Sequence, residues 1–123
     1  KMTQEHINYL FEEKYFYKSS RASAKLKDAY YEAAHTKYSG GRFLFGSIFS
    51  NYTNINIIPA LKKVENPIYL IGSRNSDESV RILDSYAKFD ENIETAVLSN
   101  CKKLPQLEEP EKLYKALQMF YDA

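Results

Sequence analysis

The sequence predicts an α/β fold: a helical segment over residues 1–66, then a strand-helix-strand-helix segment over residues 67–123 whose two strands run parallel. Two apolar runs and the stretch between them carry this prediction. Ile68-Tyr69-Leu70-Ile71 is a run of consecutive apolar residues delivered by Pro67, the pattern of a strand covered on both faces in a parallel sheet. Residues 93–98 form a second short apolar run, rich in β-formers. Between them Val80, Leu83, Tyr86 and Ala87 recur at helical spacing behind Ser76 or Asp77 as a cap, and the right-handed crossover rule makes the flanking strands parallel.

The helical segment is read from caps and stripes. Thr3 suits the cap of a first helix that presents Ile7, Leu10, Phe11 and Tyr15, with Gln4 and Glu5 in its first turn. Ser19 or Ser20 is the expected cap of a second, with a narrower stripe of Leu26, Ala29, Tyr30, Ala33 and Ala34, ending before Ser39-Gly40-Gly41. A third helical run over residues 42–52 presents Phe45, Ile48, Phe49 and Tyr52, with Gly46 placed for close packing. A short helix is expected around Pro59-Ala60-Leu61. At the far end Pro110 suits a first helical position, Glu109 and Glu111 put negative charge at the positive end of the dipole, and Leu113, Ala116, Leu117 and Phe120 share one face.

Composition excludes several partners. The chain has 123 residues, of which 44% are apolar and 15% aromatic, enough for one packed domain or part of one. Its net charge of +1 gives no electrostatic footprint for nucleic acid or an anionic membrane. No apolar run approaches the length that spans a bilayer, and the N-terminus lacks the basic-then-apolar plan of a signal peptide. One cysteine, Cys101, excludes an internal disulfide and fits a reducing compartment, so a soluble, cytoplasmic chain is expected. His6 and His35 have no second ligand at metal-binding spacing, and no cofactor or metal is expected.

Residues 100–111 read Asn-Cys-Lys-Lys-Leu-Pro-Gln-Leu-Glu-Glu-Pro-Glu. This stretch resembles the C-terminal signature of α/β-hydrolases, N-x-G-H-L-P-x-L-E-x-P-E, with the half from Leu104 to Glu111 intact. Leu61-x-x-Val64-x-x-Pro67, followed by the apolar run and Gly72, is similar to the stretch that enters the penultimate strand of the same family. The resemblance implies that residues 1–66 are lid-like helices and that residues 67–123 are the last two strands and C-terminal helix of such a fold. It implies a reaction class of carboxylic ester or related acyl hydrolysis on a small-molecule substrate.

The same resemblance places the family's histidine at Lys103 and its acid at Asn75, with Asp77 or Glu78 as displaced acids. A serine needs an adjacent base that both accepts and returns a proton near neutral pH, and a lysine, with a reference pKa of about 10.4, fits that role poorly. The nucleophile elbow G-x-S-x-G is also absent, since Gly46-Ser47 and Gly72-Ser73 lack its second glycine. Cys101 has no partnered histidine in the sequence and reads as an inert small residue. Three readings stay open: the lid and C-terminal part of a hydrolase-like protein, a non-catalytic relative that binds a partner, or an unrelated helical interaction module. On the first, the chain's partner is the N-terminal half of the fold, or else a second copy.

Overall fold

The computed structural model describes residues 3–35 and 56–123. The expected helical run over residues 42–52 and the Gly-Gly stop lie outside the described residues. Thr3 caps the first helix, α1 (Gln4–Tyr9), by accepting from His6 N at 3.1 Å. The same rod continues as a π-helical turn over Leu10–Tyr15, so Ile7, Phe11 and Phe16 come to face inward together. A 3₁₀ turn (Ser19–Arg21) follows, and helix α2 spans Ala24–His35.

The cap of α2 is Ser23, not Ser19 or Ser20. Its hydroxyl accepts from Leu26 N at 3.2 Å, while the two earlier serines are used up in the 3₁₀ turn. The expected stripe of α2 is largely open to solvent. Leu26 is half-buried, as is Tyr31, whereas Ala29, Tyr30, Ala33 and Ala34 are exposed. Helix α3 (Ile58–Leu61) is the short turn expected around Pro59.

Both apolar runs are extended, so the helical conformation that would favour an unrelated helical module is not adopted there. Strand β1 (Ile68–Ser73) and strand β2 (Ile93–Leu98) pair in parallel, Ile68 opposite Ile93 and Ser73 opposite Leu98. Helix α4 (Asp77–Ala87) makes the crossover, capped by Ser76, whose hydroxyl accepts from Ser79 N at 3.3 Å. After β2 come a short helix α5 (Pro105–Glu108), a turn the sequence does not signal, and the C-terminal helix α6 (Pro110–Asp122).

The sheet is sandwiched between α4 and α6. Strand alternation puts Tyr69, Ile71 and Ser73 with their partners Glu94, Ala96 and Leu98 on one face. There Ile71, Ala96 and Leu98 pack with Leu113, Ala116 and Cys101, and the Tyr69 ring stacks on Phe120 at 4.9 Å. Gly72 points to the other face, where a side chain would run into Leu83 and, at 2.6 Å, the Ser79 hydroxyl. Helix α4 lies that close because Gly72 has no Cβ.

A second core gathers Ile7, Phe11, Phe16 and Ala22, and Leu104 from the far end of the chain packs against it. Residues 101–108 therefore bridge the two cores, with Cys101 in one and Leu104 at the edge of the other. The bridge is fixed by Glu108, which is 4% exposed. Its carboxylate accepts from Tyr17 N at 2.8 Å, Lys18 N at 2.7 Å and Lys102 N at 3.2 Å. Arg21 donates to the Glu108 carbonyl at 2.7 Å and to Glu109 Oε1 at 3.0 Å, and Lys103 N donates to Tyr15 O at 3.1 Å. Among the described residues no helix is long and apolar enough to cross a membrane.

Gly72→Ala should cost about 1–3 kcal/mol, the range of an overpacked core site, where the same change in open space would be neutral. Combining it with Leu83→Ala should cost less than the sum of the single changes. Urea midpoints of the four proteins measure both effects.

Candidate functional site

The β1–α4 turn and the loop after β2 both lie at the C-terminal ends of the parallel strands, the side on which open α/β sheets bind ligands. Asn100 makes the second loop possible. It holds φ at 60°, a left-handed conformation that Asn tolerates better than most residues, and so turns Cys101 back into the core. From there the chain runs past Lys102 and Lys103 to Pro105.

An open cleft of about 560 Å³ lies between this loop, β1 and α4. Leu70, Ile82, Leu83 and Tyr86 give it an apolar wall, and Ser76, Glu78, Lys102, Lys103 and Gln106 supply its polar groups. Lys103 Nζ meets Glu78 Oε2 at 3.3 Å. Both side chains are about half exposed, so the pair is worth at most a fraction of a kcal/mol and does not hold the loop in place.

The two positions singled out by the hydrolase resemblance therefore part company. Lys103 lines the cleft, whereas Asn75 sits half-buried in the turn after β1, outside the cleft lining. Asp77 lines a different, charged groove with Arg74, Arg81, Asp84 and Lys88. Of the two displaced acids, Glu78 is the one whose carboxylate reaches Lys103. No nucleophile, base and acid form a chain of hydrogen bonds among the described residues.

Cys101 is fully buried, with its sulfur 3.5 Å from both Ser73 Oγ and Leu98 O. Burial pushes the thiol up, which outweighs the opposing Ser73 hydrogen bond, so it is not poised as a thiolate nucleophile. The guanidinium of Arg21, hydrogen-bonded to Glu109, holds that carboxyl below the usual carboxylate range. Among the described residues no three His, Cys, Asp or Glu side chains come together to hold a metal ion.

No protein-family model, curated protein or solved structure matches this chain. Glu108 is the residue that sequence reasoning passes over, as one letter of a motif. Its only local sign is an acid that directly follows Leu107, and its partners Tyr17 and Lys18 lie about 90 positions away.

The raised thiol sets a pH dependence. The folded chain keeps its proton to higher pH than the unfolded chain, so this contribution is intact below the unfolded value of about 8.5 and falls as the pH rises through it. Urea midpoints should drop less between neutral and alkaline pH in Cys101→Ala than in the parent. Alkylation of Cys101 should be at least about a hundredfold slower in the folded chain than in the denatured one, because the sulfur is reached only through opening.

Proposed function

We propose that this chain forms the lid and C-terminal part of an α/β-hydrolase-like protein, of the class that cleaves carboxylic esters or related acyl groups, and that it is not catalytic alone. The observation that carries this reading is the outer edge of β1. Residues 68–71 are entirely apolar yet only half-buried, and among the described residues β1 pairs on one side alone. Strand β2, by contrast, carries exposed Glu94 and Thr95, the kind of residues that blunt a sheet edge. A parallel strand with helices over both faces and an unprotected apolar edge is suited to the interior of a wider sheet. In a hydrolase-like fold that neighbour comes from the half that precedes the lid, and the cleft along β1 becomes one wall of the acyl site.

The Lys103–Glu78 pair supports the second reading, a non-catalytic relative, within the same architecture. At the position of the family's proton carrier stands an amine engaged with a carboxylate instead of a serine hydroxyl. On that reading the cleft binds and does not turn over. The two readings differ in what restoring the triad residues would do.

The chain alone should show no turnover of short-chain aryl esters above a heat-denatured control, and Lys103→His should leave it inactive, since one member of a triad without the others adds little. In a longer protein that supplies a serine elbow, Lys103→His should raise turnover, with Glu78 already beside that position as the orienting carboxylate; unchanged activity there favours the binding reading. Saturable hydrolysis by the unmodified chain would place the active site elsewhere. Sedimentation should also show concentration-dependent self-association through the β1 edge. A clean monomer that binds no apolar-surface dye would mean the chain closes its own sheet.

A further inference from the structure

The wall of the cleft formed by Lys102, Lys103, Pro105 and Gln106 is not held from the cleft side. Its ion pair to Glu78 is solvent-exposed, and its other polar attachments lead backwards to the first helical segment, directly or through Glu108. Lys102 N reaches Glu108, Lys103 N reaches Tyr15 O, and Lys102 Nζ reaches Glu13 O at 3.2 Å. Glu108 in turn accepts from Tyr17 N and Lys18 N.

We propose that Glu108 is a latch that makes the helical segment and the loop wall of the cleft open and close as one unit. One carboxylate serves both sides: Oε1 accepts from Tyr17 N and Lys102 N together, and Oε2 accepts from Lys18 N. Hydrogen bonds to a charged acceptor are roughly twice as strong as neutral ones, and a carboxylate stripped of donors while still buried loses much more than the bond itself. If residues 17–18 leave, Glu108 keeps a single backbone donor, so retaining the closed loop becomes unfavourable. If the loop leaves, the 17–18 amides lose their acceptor. The half-open states are the costly ones, and the fully latched and fully unlatched states remain.

Arg21 strengthens the coupling from the helical side. It clamps the Glu108 carbonyl and the Glu109 carboxylate, and it makes no hydrogen bond to Lys102 or Lys103. A molecule that enters the cleft and displaces Lys103 thus works against bonds made at Tyr15, Tyr17 and Lys18. A partner that pulls on the helical segment widens the cleft. This device depends on the cleft geometry alone and stands apart from the hydrolase reading, so its test leaves that reading untouched.

Amide hydrogen exchange on the full chain, followed residue by residue by NMR over a urea series, tests it. The amides of Tyr17, Lys18 and Lys102 should share one opening curve. Glu108→Gln keeps the shape but sets an NH₂ among the donors, and should speed exchange at all three by about tenfold or more. The amides of Ile68 and Arg74, bonded to Asn92 O and Leu98 O, should keep their rates. Arg21→Ala should speed Lys102 along with Tyr17, although Arg21 has no hydrogen bond to Lys102. The latch is refuted if Lys102 follows a different urea dependence from Tyr17 and Lys18, if Arg21→Ala leaves Lys102 unchanged, or if Glu108→Gln accelerates Lys102 alone or every amide equally. The urea series on the unmodified chain decides the matter even if Glu108→Gln does not fold.

Discussion

A buried carboxylate has to be satisfied or it cannot be there, and in this protein the condition placed on Glu108 organises the chain. Its donors are backbone N–H groups, so no side-chain chemistry on the partner segment had to be selected for it. What was required is that the chain bend at residues 17–18 beside the α5 turn, with two successive amides pointing at one acid. The chain meets this by ending the first rod at Phe16, whose φ and ψ of −109° and 137° leave the helical region. Phe16 then drops into the aromatic core while the next two amides turn to Glu108. Leu104, four residues before the acid, fills the edge of that same core.

Sheet and cleft depend on the bridging segment in turn. Cys101 packs beneath the end of β2 and Leu104 beside the first helices, so the short stretch between them has little freedom left. Lys102 and Lys103 fall within it and both line the cleft, Lys102 with its ammonium turned back to Glu13 O and Lys103 with its own beside Glu78. The cleft is therefore a product of two cores meeting. Its apolar wall belongs to the βαβ unit, and its basic rim belongs to the linker.

Legible in the sequence is whatever depends on neighbours along the chain. Thr3 as a cap, the strand over residues 93–98, Ser76 ahead of α4 and Pro110 at the head of α6 are local statements, and each stands where the residues put it. Ser23 escapes such reasoning because three serines compete within five positions, and only the helical geometry of residues 24–35 selects among them. β1 begins at Ile68, one residue later than Pro67, since the strand needs an amide there to reach Asn92 O and proline has none. The half-burial of β1 is harder to read, because an all-apolar run encodes the cover a strand requires and not the cover it has. The site is the least legible part: the pairing of Lys103 with Glu78 and the donors of Glu108 are decided by distances across the fold.

The span of the Glu108 bonds bears on how the chain reaches its native state during synthesis. Tyr17 and Lys18 wait for a partner some 90 residues downstream, an interval of roughly 5–20 s at ordinary elongation rates. Throughout that interval Ile7, Phe11 and Phe16 can stack on one another but lack Leu104 to close them, so this aromatic cluster stays unsealed on one side. Long-range closure of this kind is slow. The first core is therefore completed only once Leu104, and the acid four residues beyond it, have been made.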